Sequence, residues 1–149
     1  MTHEYPVVLL VEDDAAHAEI ARRTMLDTSV NSRVIHVPDG QAALDYLYRQ
    51  GSYAAPGAAP RPALILLDLR LPGVDGLEVL RMVKSDADLA SIPVVVLTSS
   101  NSKEDKERAY THHANGYLVK PLDLIRFVNL LELHGDYWHS WNRNALAAG

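Results

Sequence analysis

There is no cysteine anywhere in the 149 residues, which excludes a disulfide framework and thiol chemistry at once. Nor is there an apolar run approaching the roughly 18 residues that a membrane-spanning helix needs. The opening residues, Met1 to Pro6, lack the basic-then-apolar pattern of a secretory leader. Together these absences lead us to expect a cytoplasmic protein with no membrane partner. Basic blocks are missing too. With 14 Lys and Arg against 19 Asp and Glu, the formal net charge is −5, a balance that argues against nucleic acid as a partner. No internal repeat recurs at solenoid periods. What is present, 48% hydrophobic and 22% charged residues, is the make-up of a globular domain. The length suits one core and is too short for two.

The stretch LILLDLRLPGVDG, Leu64 to Gly76, stands out. Four apolar residues run into Asp68, the pattern of a strand buried on both faces, as parallel sheets require. By itself Asp68 reads as a turn cap as readily as a site. The same pattern recurs, however. Val7 to Val11 ends in Glu12-Asp13-Asp14; Ile92 to Leu97 ends in Thr98-Ser99-Ser100; Tyr117-Leu118-Val119 ends in Lys120-Pro121. Val34 to Val37 is a further strand, after a turn at Asn31-Ser32.

Helical patterns separate these runs. Ala15 to Leu26 places Ile20, Thr24 and the alanines on one stripe and Glu19, Arg22 and Arg23 on another, with Asp14 as N-cap. Gln41 to Arg49 turns Ala43, Leu44 and Leu47 inward, and a third helix runs from Asp75 to Lys84. Ser102-Lys103-Glu104-Asp105 has the form of a capping box for a fourth helix ending near His112. A fifth begins near Asp123. Residues 51–62, with three prolines and two glycines, read as a surface loop. Strand and helix alternate five times, which predicts an α/β fold with right-handed crossovers and a parallel sheet covered on both faces.

In such a sheet the carboxyl ends of the strands share one edge, neighbours about 5 Å apart. That edge gathers Glu12, Asp13, Asp68, Thr98 and Lys120. Clustered carboxylates suit a hard divalent cation, and one or two carboxylates with waters and phosphate oxygens suit Mg²⁺. A carboxylate beside such an ion and an ammonium can attack a phosphoryl group, with a hydroxyl to hydrogen-bond its oxygens.

Taken together, the acid pair Glu12-Asp13, the run from Asp68 through Pro72-Gly73 to Asp75-Gly76, Thr98 and Lys120-Pro121 resemble the receiver domain of two-component response regulators, over nearly the whole chain. The resemblance implies a flavodoxin-like, doubly wound five-stranded parallel sheet, (β/α)5, in the order 2-1-3-4-5. It implies one receiver domain over residues 1–149, with a core of about 6–131 and an extension over about 132–149. Asp68 would be the phosphoacceptor, fed by a partner histidine kinase. Asp13 and Asp68 would bind Mg²⁺ (or Mn²⁺) directly, the main-chain carbonyl of Arg70 would be a third ligand, and Glu12 would act through water. Lys120 would pair with the phosphoryl oxygens, Thr98 would move to hydrogen-bond them, and Tyr117 would be the aromatic that turns inward with it. The Lys120-Pro121 bond would be cis. Such a protein catalyses only its own phosphorylation and slow dephosphorylation, so it is not an enzyme in the usual sense.

Two alternatives stand beside this. A phosphatase of the haloacid dehalogenase type also has an aspartyl nucleophile, but it wants an acid two residues on, where this chain has Arg70. A receiver-like module could instead bind without control by phosphorylation. A flavodoxin-like cofactor module is disfavoured, because Glu12-Asp13-Asp14 would repel a phosphate. With the chain ending soon after the fifth helix, we expect a stand-alone receiver whose output is binding to a downstream protein. Tyr137-Trp138 and Trp141 beyond the last core element predict a homodimer using this tail and the face of the fourth helix, fifth strand and fifth helix. The loop over 51–62 and the tail resemble receivers that partner bacterial phytochrome kinases.

Overall fold

The computed structural model describes residues 6–26 and 32–133, the last three by their backbone alone. Five strands alternate with five α-helices: β1 Val7–Val11, α1 Ala15–Leu26, β2 Arg33–Val37, α2 Gly40–Tyr48, β3 Leu64–Leu67, α3 Gly76–Ser85, β4 Val94–Thr98, α4 Lys103–Thr111, β5 Gly116–Val119 and α5 Leu122–Leu133. All four strand pairings are parallel and the sheet order is β2-β1-β3-β4-β5, as expected. No described helix is long and apolar enough to cross a membrane.

Why the three central strands carry no polar residue before their last position is clear from the two cores. On one face Leu9, Val11, Ile65, Leu67, Val94 and Val96 pack against the inner sides of α2, α3 and α4. On the other, Val8, Leu10, Leu64, Leu66, Val95 and Leu97 meet Ala18, Ala21 and Met25 of α1 and Leu124 and Val128 of α5. Successive side chains alternate between the two layers, so every position must be apolar.

Register then carries function. Val11 lies opposite both Val37 and Leu67, and Leu67 opposite Val96. The backbone ladder continues one residue further: Asp68 N donates to Val11 O at 3.1 Å, Glu12 N to Val37 O at 3.1 Å, and Lys120 N to Thr98 O at 2.9 Å. These bonds bring the strand ends to one rim. Behind that rim α3 begins against the end of β3. A Cβ on Gly76 would lie 2.2 Å from the Asp68 carbonyl oxygen, so only glycine lets the helix start there.

Three local expectations need correction. The Ile20 and Thr24 stripe of α1 does not face the sheet. Ala18, Ala21 and Met25 do, while Ile20 stays 53% exposed; the stripe instead borders a groove toward α5, with Leu124 on its far side. Strand β4 begins at Val94 rather than Ile92, after Pro93, which has no N–H for a ladder. The capping box of α4 closes on one arm only: Ser102 Oγ accepts from Asp105 N at 3.3 Å, and the Asp105 carboxylate goes elsewhere. The 51–62 loop contains a 3-10 turn, Gly51–Tyr53, and is tied down at its far end. Tyr46 Oη donates to Pro60 O at 2.6 Å, Arg49 Nε to Ala59 O at 3.2 Å and Arg61 Nη1 to Leu47 O at 2.9 Å. Asn31 and the tail from residue 134, with Tyr137, Trp138 and Trp141, lie outside the described residues.

Candidate functional site

At the rim, a shallow depression is lined by Glu12, Asp13, Asp14, His17, Asp68, Arg70, Thr98, Ser99, Ser100 and Lys120. Every strand-end residue expected there is present. Carboxylate oxygens of Glu12, Asp13 and Asp68 all lie within 4.8 Å of one another. Three acids so close repel unless positive charge joins them. Lys120 supplies one such charge: its Nζ donates to Glu12 Oε2 at 2.6 Å and to Asp68 Oδ2 at 3.1 Å. The remaining oxygens, hard and anionic, fit a divalent cation.

Burial ranks these acids. Glu12 is 2% exposed, and burial pushes its carboxyl above the ordinary value, against the pull of the Lys120 ammonium. Asp13 is exposed and opens the cluster to solvent. Asp68 is buried; its Oδ1 accepts from Arg70 N at 3.2 Å, which orients the carboxylate at the head of the β3–α3 loop. The Lys120-Pro121 bond is cis, as expected, and Lys120 Nζ turns toward the acids.

Thr98 is buried, with Oγ1 accepting from Ser100 N at 3.3 Å. Tyr117 lies inward, its hydroxyl donating to Ser100 O at 2.8 Å and the Lys106 Nζ 5.6 Å from its ring centre. Burial raises the Tyr117 phenol above its ordinary value, so it is a neutral donor throughout the physiological range.

The contacts of three residues were not read from the sequence. His17, in the first turn of α1, meets Lys120 Nζ through Nδ1 at 3.2 Å. Since the ammonium can only donate, Nδ1 is the acceptor and its 3.7 Å approach to Glu12 is no ion pair in that tautomer. His36 of β2 places Nε2 at 2.7 Å from Glu12 O, so the second strand also reaches the rim. Asp105 of α4 accepts from Arg70 Nη2 at 2.8 Å and from Ser100 Oγ at 2.6 Å. The Ser100 hydroxyl first, then Arg70, holds that carboxyl below its ordinary value. The i, i+4 spacing from Asp13 was the one available signal for His17; none marked the other two.

The model of the response regulator receiver domain matches residues 8–132. The probable methanogenesis regulatory protein FilR2 of Methanothrix harundinacea is 44% identical over 93% of this chain and 86% of its own. The response regulator Rcp1 of Synechocystis sp. is 39% identical over 89% of this chain and 88% of its own. A crystal structure of its Mn²⁺-bound form is similar at a TM-score of 0.76 and 41% identity, covering 87% of this chain and 94% of that one. The crystal structure of the phosphorylated cyanobacterial phytochrome response regulator RcpA is similar at a TM-score of 0.76 and 38% identity, covering 91% and 95%.

Proposed function

The chain belongs to the response regulator receiver family, and from that premise we propose that Asp68 accepts a phosphoryl group from a phosphohistidine on a partner histidine kinase. A carboxylate oxygen of Asp68 attacks phosphorus as the P–N bond breaks and its electron pair returns to the imidazole. What supports this above all is the meeting of Asp68 with the Lys120 ammonium at 3.1 Å inside a cluster of three carboxylates. Glu12, Asp13, Asp68 and the main-chain carbonyl of Arg70 would hold Mg²⁺ (or Mn²⁺). Bound there, the ion supplies positive charge against the phosphoryl oxygens. Lys120 offsets charge on the same oxygens, and Thr98 offers them its hydroxyl. The Arg70 guanidinium holds its protons too tightly to serve as a general acid for a leaving group and is tied to Asp105, which favours storage of the phosphoryl group over a phosphatase cycle. The reading is tested with a small-molecule donor such as acetyl phosphate: intact-mass spectrometry should find one added phosphoryl group in Mg²⁺ and none with the ion chelated.

Metal binding has its own signature. In about 10 mM Mg²⁺ near neutral pH the unfolding midpoint should rise by about 3–5 °C, as a millimolar site on the folded state alone would give. The gain should fade on acidification, because the ion binds only deprotonated carboxylates. Since the Glu12 carboxyl sits above 4.5, loss should begin above that pH. A gain that persists unchanged at pH 4 would place the ion elsewhere.

For the kinase, the likeness to RcpA, a phytochrome response regulator, supports a bacterial phytochrome. Output would pass through the face of α4, β5 and α5, where Tyr110, Ile125 and Leu130 are exposed, to a downstream protein or to a second copy aided by the C-terminal aromatics. Sedimentation at tens of micromolar should find a dimer; a monomer with and without phosphorylation would exclude that use of the face.

A further inference from the structure

We propose that Asp105 is a positioning residue of the phosphoryl site, holding the β4–α4 loop and Tyr117 in the arrangement that receives the phosphoryl group. This rests on the phosphoryl-switch reading of Asp68. The geometry runs outward from one carboxylate. Asp105 is 7% exposed and accepts from two different loops: Arg70 Nη2 at 2.8 Å, two residues after Asp68, and Ser100 Oγ at 2.6 Å, two residues after Thr98. Ser100 in turn uses both backbone groups on the switch residues. Its N–H donates to Thr98 Oγ1 at 3.3 Å and its carbonyl accepts from Tyr117 Oη at 2.8 Å. The next residue on α4, Lys106, covers the Tyr117 ring. One acid therefore holds the residue whose backbone both Thr98 and Tyr117 use, and ties it to the loop that carries the nucleophile.

Such fixing acts by pre-organisation. Loops already held where the bound state needs them lose less freedom when the phosphoryl group arrives. The Ser100 bond is sheltered, whereas the Arg70 side chain is 74% exposed, so solvent screens its share and the total effect is modest. Both bonds fall on one carboxylate oxygen, Oδ2, and its negative charge strengthens them; Asn can keep an oxygen there but not the charge.

The test uses beryllofluoride, a phosphoryl mimic, titrated into the whole chain at saturating Mg²⁺. Asp105→Ala should weaken binding about fivefold, Ser100→Ala about twofold to threefold, and Asp105→Asn should lie between wild type and Asp105→Ala. The decisive arm is Tyr117→Phe, which deletes the hydroxyl at the end of the chain of contacts. In that background Asp105→Ala should cost less than about twofold, because linked groups are not additive. A merely structural Asp105 would cost the same factor in both backgrounds, and that result overturns the proposal. So does unchanged binding in Asp105→Ala. If Asp105→Ala does not fold, Ser100→Ala with and without Tyr117→Phe decides by the same comparison. Wild-type protein that fails to bind beryllofluoride in Mg²⁺ would remove the phosphoryl-switch reading and this proposal with it. Wild-type binding with indifferent variants removes the proposal alone.

Discussion

Asp68→Asn should lower phosphoryl labelling from acetyl phosphate by on the order of a thousandfold or more, to background. The substitution is nearly isosteric, and Asn Oδ1 can still accept from Arg70 N, which now approaches Asp68 Oδ1 at 3.2 Å. What changes is the atom facing Lys120. Oδ2, at 3.1 Å from the ammonium, becomes an amide nitrogen, so a donor meets a donor and the attacking oxygen is gone. The fold should therefore survive, with a native circular dichroism spectrum and cooperative unfolding, while labelling does not. Asp13→Asn is the informative control. It removes charge from the same cluster but leaves the nucleophile, so its labelling should be slow and should recover at higher Mg²⁺. Labelling of Asp68→Asn at the wild-type rate would falsify the assignment of the acceptor, and Asp13 or Asp14 would then be the residues to examine.

The strands that deliver these residues were legible because burial on both faces leaves no room for ambiguity. Val7 to Val11, Leu64 to Leu67 and Val94 to Leu97 contain no polar side chain, and a polar residue appears where each run leaves the core. Strand β2 lies at an edge with Arg33 and His36 exposed, yet Val34, Ile35 and Val37 were enough to mark it. Helix α1 was harder. Its alanines occur on more than one stripe, and a periodicity argument cannot tell the side that meets the sheet from the side that borders a groove. Ile20, the first large apolar residue of the helix, lies on the groove side, while Met25 faces the core.

Asp105 was misread for a different reason. Sequence reasoning sees local neighbours, and the Ser102-x-x-Asp105 spacing is a sound N-terminal signature. The competing partners are Ser100 and Arg70, the latter 35 positions away. A charge-assisted bond to a guanidinium and a hydroxyl satisfies the carboxylate better than the single backbone N–H of a cap. The capping role passes to Ser102 alone. Side chains whose bonds close only in three dimensions are those the linear reading loses, and His17 and His36 belong to the same class.

Lys120→Met should impair both function and stability, the second in a pH-dependent way. The ammonium offsets two buried carboxylates, and its side chain is 12% exposed while that of Glu12 is 2% exposed. Methionine fills much of the same volume without the charge. Losing a positive group aimed at the phosphoryl oxygens should slow labelling by about a hundredfold or more. Stability near neutral pH should fall by about 3 kcal/mol, because Glu12 and Asp68 remain buried without their partner. The Glu12 carboxyl is already raised by burial in the wild type, with Lys120 pulling it down; removal of Lys120 raises it further. The folded state then binds a proton more tightly than the unfolded chain. From the unfolded value of 4.5 up to the folded one, the folded state carries more protons, so stability falls as pH rises through that window. The stabilising contribution is complete only below 4.5. Urea unfolding of Lys120→Met at several pH values should therefore show a loss relative to wild type that is large at neutral pH and shrinks toward pH 5, a window above the one in which an exposed ion pair loses its carboxylate's charge. Mg²⁺ should recover part of the neutral-pH loss, since the ion restores positive charge to the same oxygens. A loss that is equal at every pH, and indifferent to Mg²⁺, would mean that Lys120 serves packing rather than charge. The phosphoryl site would then need another cation to balance its acids.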